Sequence, residues 1–445
     1  MRCAPKHMGE QSSKLRVLIV AEHASARFGG EAALPLHYFR VLEKRQIPVW
    51  LVTHARTRPE LAALYPGSDR ILYIEDTAWH RLFWRVGMRL PPAVGYLTVG
   101  FLSRLLTQAM QRRLIRRLVR ELSIDVIHQP IPVSPREPSL LFGFGVPVVI
   151  GPMNGGMDYP PSWNRQRGLL ERAVVHLGRS GAVSLNRLIP GKRHAAALLV
   201  ANSRTREALP RGVSRRVFEL VENGVDLEVW KSDRAVRSNA LSPLTTFVFM
   251  GRLVGWKAVD LLLRAFASAR DQAPMRLWIL GDGDERMHLE ELARQLGLMP
   301  GGSGCGTVEF AGWLEQSACA ERLAAADCLV LPSLLECGGA VVLEAMALGK
   351  PVIATAWGGP LDYLDKRCGI LVPPDSPESV IEGFSAAMVQ LARSPDVRAR
   401  MSAEARGKAS RDFDWEVKVD GVLVHYRRAI EEARRFARSD DGSAS

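Results

Sequence analysis

The stretch from Leu329 to Leu364 limits the fold of this chain more than any other part of the sequence. The apolar run Cys328–Leu331 predicts a buried strand, and the glycine-containing segment Glu336–Gly339 predicts a turn. A helix is expected from about Ala340 to Leu348, followed by a second apolar strand from Val352 to Thr355. A strand, a crossover helix and a strand in so few residues form a parallel unit of an α/β sheet.

The turn in this unit carries the first chemical signal. The unpaired N–H groups at the start of a helix favour an anion above the carboxyl edge of the sheet. Two carboxylates flank the turn, Glu336 before the helix and Glu344 inside it. Carboxylates would repel a phosphate, so they are more plausible partners for neutral hydroxyls, and phosphate plus hydroxyls indicates a nucleotide sugar. The alternative is that Glu336 caps the turn and that Glu344 is a solvated helix residue.

A second signal lies about eighty residues earlier. The apolar run Thr246–Met250 predicts a strand, and Gly251, Arg252 and Lys257 follow it. A nucleotide diphosphate gains negative charge as it leaves a sugar, so fixed cations beside it stabilise the transition state more than the ground state. Taken alone, an arginine and a lysine after a strand can equally be solvated surface residues.

Together these segments resemble the retaining family 4 glycosyltransferases of the GT-B fold, which carry two glutamates separated by seven residues after such a strand. The resemblance implies that Glu336 lies near the transferred sugar and that Glu344 holds the ribose hydroxyls. It also implies that Arg252 and Lys257 hold the diphosphate. The family usually has glycine after this lysine, whereas this chain has Ala258, and we expect little effect from the difference.

The resemblance also indicates the residues that surround the donor. The first strand of the chain is followed by Gly29 and Gly30, which are similar to the glycine loop that faces the donor phosphates in the family. The implied catalytic residues are Arg252, Lys257 and Glu336. The implied donor-binding residues are Gly29, Gly30, Gly251, Arg252, Lys257, Gly338, Gly339 and Glu344.

The implied fold class is α/β, with two Rossmann-like domains whose parallel sheets face each other across a cleft. We expect an acceptor domain over residues 14–222, a donor domain over residues 223–415, and a last helix over 416–436 that crosses back to the first domain. The boundary is placed near Asn223 because Asn223–Asp226 resembles the family's crossing between domains. Residues 1–13 and 437–445 are expected to be disordered.

Two candidates on the acceptor side come from the first domain. His128 ends a short predicted strand, at the sheet edge where ligands bind in open α/β sheets. Asn154 lies in the glycine-rich loop Gly151–Met157. His128 can equally be a hydrogen-bonded residue at the end of a strand. Between these two candidates, Ser134–Arg136 is expected to begin a helix.

One segment of the first domain suggests contact with a membrane. Residues 79–89 interleave aromatic residues with arginines, and residues 101–122 place an apolar stripe at helical spacing beside further arginines. A basic amphipathic helix can rest on anionic lipid headgroups, and family members with lipid-linked acceptors dock at membranes through this domain. The alternative is an ordinary helix packed on the sheet with a solvated basic face.

Composition narrows the class of protein. The chain has 445 residues, of which 47% are hydrophobic and 24% charged, so we expect two or more folded domains. The net charge of +12 favours phosphates, nucleic acid or an anionic membrane, but no aromatic-basic motif supports a nucleic-acid partner. The six cysteines form no C-x-x-C pair and lie near no histidine at zinc-ligand spacing. The cysteines therefore indicate a reducing compartment. Because Arg252 and Lys257 can hold the diphosphate and we find no Asp-x-Asp cluster that requires a metal, we expect neither a metal nor a cofactor.

The function that these observations favour is transfer of a sugar from a nucleotide diphosphate donor to an acceptor hydroxyl, with retention at the anomeric carbon. The expected acceptor is a glycan or a lipid-linked glycan of the bacterial envelope or an exopolysaccharide. Because the N-terminus shows no apolar signal-peptide region, we expect a cytoplasmic protein that can lie on the inner face of the membrane. The alternatives are a catalytically silent nucleotide-sugar-binding protein and a nicotinamide oxidoreductase, and the absence of G-x-G-x-x-G argues against the latter.

Overall fold

The computed structural model describes residues 15–27, 30–166, 181–230, 244–300 and 306–442. Its thirteen strands fall into two parallel sheets. The first sheet contains β1 (Val17–Val20), β2 (Val49–His54), β3 (Ile71–Ile74), β4 (Val126–Gln129), β5 (Val148–Met153), β6 (Ala197–Val200) and β7 (Val217–Glu219). The second contains β8 (Thr245–Met250), β9 (Met275–Leu280), β10 (Val308–Gly312), β11 (Cys328–Leu331), β12 (Val352–Thr355) and β13 (Gly369–Val372).

Helices connect the parallel strands. In the first domain they are α1 (Gly30–Lys44), α2 (Arg58–Leu64), α3 (Ala78–Gly87), α4 (Phe101–Glu121) and α5 (Ser203–Ala208). In the second they are α6 (Val259–Ala269), α7 (Arg286–Gln295), α8 (Gln316–Ala325), α9 (Ala340–Ala347), α10 (Pro377–Arg393) and α11 (Pro395–Lys408). The last helix, α12, spans Trp415–Gly442, and short one-turn helices occupy Pro92–Gly95, Gly191–His194 and Pro360–Tyr363.

The strand order of both sheets follows the doubly wound pattern. The orders are β3-β2-β1-β4-β5-β6-β7 and β10-β9-β8-β11-β12-β13, with parallel pairing throughout. Buried apolar residues fill central strands such as β1 and β11, because helices cover both faces of a parallel sheet. In each sheet the chain reverses its direction of winding between two neighbouring strands, β1 and β4 in the first and β8 and β11 in the second. Ligands of open α/β sheets bind at the carboxyl ends of strands at such a point.

The last helix crosses back to the first domain, as predicted. Trp415, Val419, Val422 and Tyr426 are buried in the same hydrophobic cluster as α1 and strands β1 and β2. The Trp415 ring stacks on His37 of α1 at a centroid distance of 4.5 Å. The chain therefore completes its first core with its last helix.

The bounds of the domains and termini differ in part from the expectations. Strand β7 ends at residue 219 and strand β8 begins at residue 245. The expected boundary near Asn223 lies between these two strands. Helix α12 continues to Gly442, so residues 437–442, expected to be disordered, are helical. Residues 1–14 and 443–445 lie outside the described residues. Among the helices that are described, none combines the length and apolar character needed to cross a membrane.

Candidate active site

Two loops meet at the carboxyl edge of the second sheet where its winding reverses. One loop follows β8 and carries residues 251–257, and the other follows β11 and leads into α9. Strands β8 and β11 are paired neighbours, and the Leu334 N–H donates to the carbonyl of Trp256 at 2.9 Å. This hydrogen bond ties the two loops together, so residues distant in sequence share one site.

Lys257 and Glu336 form an ion pair at this junction. The Lys257 Nζ donates to the Glu336 Oε2, and the two side chains are only 15% and 13% exposed. A one-turn 3₁₀ helix, Gly255–Lys257, aims the lysine at the glutamate. Because both charges lie mostly out of water, removal of one partner leaves the other poorly solvated. The structure thus brings together two of the three predicted catalytic residues.

Arg252 lies on the same loop, directly after Gly251 at the end of β8. Its side chain is exposed, and within the described ranges no hydrogen bond or ion pair of its guanidinium is recorded. The backbone on either side is fixed, since the Gly251 N–H donates to Leu280 O at 3.0 Å and the Leu253 N–H donates to Asp282 O at 2.9 Å. A charged side chain on a fixed backbone at this edge is available to an anionic ligand.

The start of α9 supplies backbone donors beside this pair. Gly339, the residue before the helix, has a left-handed φ of 78°, which glycine adopts without steric cost, and no side chain caps the helix there. A Cβ on Gly338 would lie 2.3 Å from Asn223 Nδ2 and 2.7 Å from Glu222 Oε1, so the turn lies close against side chains of the domain junction. The uncapped N–H groups and the helix dipole together favour a negative group at this position.

Glu344 lies further along the same helix. Burial raises the pKa of its carboxyl from 4.5 to about 8. The pKa of the Cys319 thiol on α8 is raised mainly by burial and secondly by the negative charge of Glu344. The Cys319 Sγ donates to Leu314 O at 3.6 Å. Glu344 thus lies near α8 and the segment before it, which follows β10.

Ala258, the residue that replaces the family's glycine, has an unexpected conformation. Its φ of 49° and ψ of 40° lie in the left-handed region. A residue with a Cβ pays about 1 kcal/mol to adopt this conformation. The family's preference for glycine thus has a steric reason, and the expectation of little effect from Ala258 stays a prediction.

His128 does not line the cleft. It is fully buried, its Nε2 lies 2.6 Å from Gly151 O, and its Nδ1 lies 2.7 Å from the Tyr426 hydroxyl. A carbonyl only accepts, so Nε2 donates to Gly151 and Nδ1 accepts from Tyr426. The second alternative for His128, a hydrogen-bonded residue at the end of a strand, is the one that the structure supports.

Asn154 lies at the junction of the two domains rather than in an open pocket. Its Nδ2 donates to Glu222 Oε1 at 2.5 Å and to Cys337 O of the second domain at 2.8 Å. Burial raises the pKa of Glu222, which also accepts from Asn223 at 2.8 Å. Asn154 therefore holds the backbone immediately before Gly338, beside the donor loop.

The glycine pair of the first domain is described only in part. Gly29 lies outside the described residues, whereas Gly30 begins α1 and is exposed. A Cβ added to Gly30 would meet nothing within 4 Å. The predicted contact of this pair with donor phosphates stays a prediction.

The sequence analysis missed two carboxyl groups at the reversal point of the first sheet. Glu22 is the second residue after β1, and Glu31 lies in the first turn of α1. The sequence carries a signal for Glu22, because Arg252 is likewise the second residue after β8.

Three side chains of the first domain could approach a metal ion. The potential ligand atoms of His54, Asp76 and His80 lie within 4.8 Å of one another. His54 Nε2 lies 3.4 Å from Asp76 and is buried without a hydrogen bond. His80, however, engages Thr77 through Nδ1 and Thr107 through Nε2, so a metal would have to displace one of these partners.

The fold and the site define a class of protein, the two-domain GT-B proteins. HepE (Alr3699) of Anabaena, solved in complex with UDP, superimposes with a TM-score of 0.62 at 17% identity, over 92% of this chain and 98% of that one. This likeness shows the fold and confirms the predicted fold class.

The second domain is similar to known glycosyltransferases. Residues 245–393 match the family model described as "Glycosyl transferases group 1", which confirms the predicted resemblance for this domain. The chain is 32% identical over 235 residues to D-inositol 3-phosphate glycosyltransferase of Kribbella flavida, covering 49% of this chain and 53% of that protein. It is 34% identical over 175 residues to the lipopolysaccharide core biosynthesis glycosyltransferase LpsE of Rhizobium meliloti, covering 39% and 47%. The chain thus spans about half the length of the curated relatives it matches.

Proposed function

We propose that this chain is a retaining glycosyltransferase that moves a sugar from a nucleotide diphosphate sugar to an acceptor hydroxyl. The observation that carries the proposal is the Lys257–Glu336 ion pair at the reversal point of the second sheet. Arg252 lies in the same loop as the lysine, and the uncapped start of α9 follows the glutamate. Cations and backbone donors for a diphosphate thus lie beside a carboxylate for the sugar.

The proposed reaction uses these groups in separate roles. The bond between the anomeric carbon and the diphosphate oxygen breaks, and the acceptor oxygen attacks the same face of the sugar. The leaving phosphate oxygen takes the proton of the acceptor. Arg252, Lys257 and the N–H groups near Gly338 and Gly339 stabilise the charge on the diphosphate, while Glu336 orients the sugar and Glu344 binds the ribose. Positive charge is supplied by side chains, so the proposal includes neither a metal nor a cofactor.

The ion pair suggests how the donor engages the site. Without a donor, the ammonium of Lys257 neutralises Glu336 in surroundings with little water. A diphosphate would attract the ammonium and free the carboxylate for sugar hydroxyls. Lysine suits this exchange because its charge sits on a long flexible stem.

The comparisons support a nucleotide sugar donor and a cell-envelope role without specifying either. HepE binds UDP, and LpsE is named for lipopolysaccharide core biosynthesis. We propose a glycan or lipid-linked acceptor in synthesis of the bacterial envelope or an exopolysaccharide. The proposed location is the cytoplasm, at the inner face of the membrane, because exposed aromatic and basic residues of α3 could rest on anionic lipid.

The proposal is tested by donor binding and by turnover. We expect one nucleotide sugar from a panel to raise the melting temperature, because a ligand of the native state stabilises it. Lys257→Ala and Glu336→Gln should retain the fold and lose at least about 100-fold in turnover, as expected for lost transition-state contacts. Lys366→Ala and Glu382→Gln, which change exposed residues of the same domain, serve as matched controls.

Two outcomes would count against the proposal. Turnover at the parent rate in both site variants would remove Lys257 and Glu336 from the mechanism. Donor binding without any transfer or slow release of free sugar would instead favour a catalytically silent nucleotide-sugar-binding protein.

A further inference from the structure

The turn before α9, residues 336–339, is held through its carbonyl groups. The Cys337 carbonyl accepts a hydrogen bond from Asn154 Nδ2 of the first domain at 2.8 Å. The Glu336 carbonyl accepts one from the Gly359 N–H at 2.7 Å. Over the described ranges, no hydrogen bond is recorded for the N–H groups of the two glycines in this segment, which we call the donor turn. Its N–H groups thus stay available to an anion.

Asn154 is fixed on several sides. It follows β5 directly and is only 4% exposed. One amide hydrogen of its Nδ2 is used by the Cys337 carbonyl, and the other by Glu222 Oε1 at 2.5 Å. Its Oδ1 accepts from Thr205 Oγ1 at 3.3 Å. Because both ends of the amide are engaged, its orientation is determined, and with it the place of the carbonyl that it holds.

Glu222 in turn holds Asn154. This carboxyl lies in the segment that connects the two domains and is 3% exposed. Its Oε1 accepts from Asn154 and also from Asn223 Nδ2 at 2.8 Å. A Cβ on Gly338 would lie 2.7 Å from the same oxygen, so the carboxyl is packed against the donor turn. The junction between the domains and the donor turn therefore form one connected group of hydrogen bonds.

A second hydrogen bond between the domains lies away from the donor turn. Trp163 Nε1 of the first domain donates to Pro374 O of the second domain at 2.9 Å. The Trp163 side chain is buried in the hydrophobic cluster of the second domain, and Pro374 follows the edge strand β13. The chain thus offers a buried hydrogen bond of the same kind that can serve as a control.

The position of the donor turn matters for the proposed chemistry. Backbone N–H groups stabilise the charge on a leaving diphosphate best when they are in place before the reaction. A displacement of about 1 Å in such a group can cost on the order of 100-fold in rate. Side chains that touch no substrate act on the rate by holding the groups that do.

We propose that Asn154 is a positioning residue for the donor site, which fixes the donor turn through the Cys337 carbonyl and is itself held by Glu222. The inference rests on the proposed function, because it adds a supporting residue to the donor site of that reaction. Asn154, expected on the acceptor side, thereby acts on the donor side. The first domain sets the shape of a site whose contacts with the diphosphate belong to the second.

The first test follows the donor turn directly by hydrogen–deuterium exchange of the full chain without a donor. The amides of Val342 and Gly359 donate to the Gly339 and Glu336 carbonyls of this turn. In Asn154→Ala, both amides should exchange at least about fivefold faster, because local opening of the turn becomes easier. The Gly251 amide, which donates to Leu280 O, should exchange as in the parent chain.

The second test measures turnover per folded chain with a nucleotide sugar. Asn154→Ala should lower kcat at least about tenfold and raise the donor KM no more than about threefold, because the turn acts mainly on the charge formed in the transition state. Asn154→Asp keeps the shape but lacks both N–H groups, so it should lose at least as much.

Matched variants separate positioning from general stability. Glu222→Ala should behave like Asn154→Ala, whereas Glu222→Gln keeps an acceptor oxygen for Asn154 and should retain most of the turnover. Trp163→Phe removes the other hydrogen bond between the domains and should leave turnover per folded chain and exchange of the donor turn unchanged. The Glu222 pair also decides the question if neither Asn154 variant folds.

Each failure has a separate meaning. Parent exchange at Val342 and Gly359 in the Asn154 variants, parent kcat in these variants, or an equal loss in Trp163→Phe would overturn this inference and leave the proposed function standing. Failure of the parent chain to bind or turn over any nucleotide sugar would contradict the proposed function. The exchange experiment needs no donor, so even then it shows whether Asn154 holds the turn.

Discussion

Glu344 shows how burial changes the protonation of a single residue of the candidate site. Its carboxyl belongs to a helix otherwise rich in buried apolar residues, and burial raises its pKa to about 8. An isolated ionised carboxylate is costly in such surroundings, so the proton is retained near neutral pH. A protonated carboxyl can both donate a hydrogen bond to a ribose hydroxyl and accept one from it. The buried Glu344 would therefore suit the proposed role in binding the ribose.

The pH dependence of stability should report this carboxyl. The folded chain holds a proton that the unfolded chain loses as pH rises from the ordinary pKa of 4.5 toward about 8. Stability from this group is therefore lost across that window, and Glu344→Gln should raise the melting temperature more at about pH 8.5 than at about pH 5. Thermal melts at both pH values, with exposed Glu321→Gln as the control, measure the difference. An equal gain at both pH values would show that ionisation of Glu344 is not the cause.

Residues near the domain junction show which part of the candidate site could be predicted from the sequence. The ion pair of Lys257 and Glu336 was predictable, because each residue follows the carboxyl end of a strand and parallel strands bring such ends together. His128 satisfies the same rule, but the rule could not decide between a ligand-facing residue and the hydrogen-bonded residue that the structure shows. Its partner Tyr426 lies 298 residues away, and nothing local in the sequence indicates that pairing.

At the scale of whole elements, apolar runs predicted the strands well, whereas the segments between strands were predicted poorly. Ser134–Arg136 was expected to begin a helix, but no helix is described between β4 and β5. The backbone there is satisfied from outside, since Lys192 Nζ donates to Ser134 O and Pro135 O at 3.0 and 2.8 Å. Partners so distant in sequence leave no periodic pattern, so the prediction failed for a physical reason.

Helix α3 is the element whose exposed face carries a prediction of its own. Trp79 and Leu82 are 61% and 45% exposed on one side of a helix whose only fully buried residue is His80. Exposed arginines at positions 81, 85 and 89 lie around them. Aromatic and basic residues combined in this way favour an anionic bilayer surface.

Vesicle binding should therefore depend on this face. The double variant Trp79→Ser/Leu82→Ser should lose at least about fivefold of its binding to phosphatidylglycerol vesicles, because apolar area is lost from the contact. Both residues lie in the first domain, outside the donor loops of the second, so UDP binding should be unchanged. Met287→Ser, an apolar residue that is 84% exposed in the second domain, is the matched control. Equal binding of the double variant and the parent, or equal binding to neutral phosphatidylcholine, would contradict the prediction.

At the scale of the whole molecule, α12 packs against the first domain, which contains the first strand and helix of the chain. The hydrogen bond between Tyr426 and His128 connects α12 to β4, and Arg45, the residue after α1, donates to Glu416 at 2.8 Å and Asp420 at 2.6 Å. Burial lowers the pKa of His128 from 6.5 to about 4, so its Nδ1 stays an acceptor at neutral pH. Loss of the tyrosine hydroxyl would leave that buried nitrogen without a donor.

Tyr426→Phe should lower the free energy of unfolding by about 1–3 kcal/mol, the cost of one unsatisfied buried polar group. Tyr73→Phe keeps a half-buried ring, and among the described residues its hydroxyl has no recorded hydrogen bond, so its effect should stay within about 0.5 kcal/mol. Denaturant unfolding of both variants at neutral pH gives the two values. Equal stabilities would show that the buried hydrogen bond contributes nothing net to the attachment of α12.

The position of α12 also affects the order in which the two domains can fold during synthesis. The second sheet and its helices are continuous in sequence, whereas the hydrophobic cluster under α1 lacks Trp415, Val419 and Tyr426 until the α12 segment has been synthesised. Domains usually fold as units in the order in which they emerge. Here the second domain can reach its native packing although it is translated later. The first domain cannot complete its core until α12 is available.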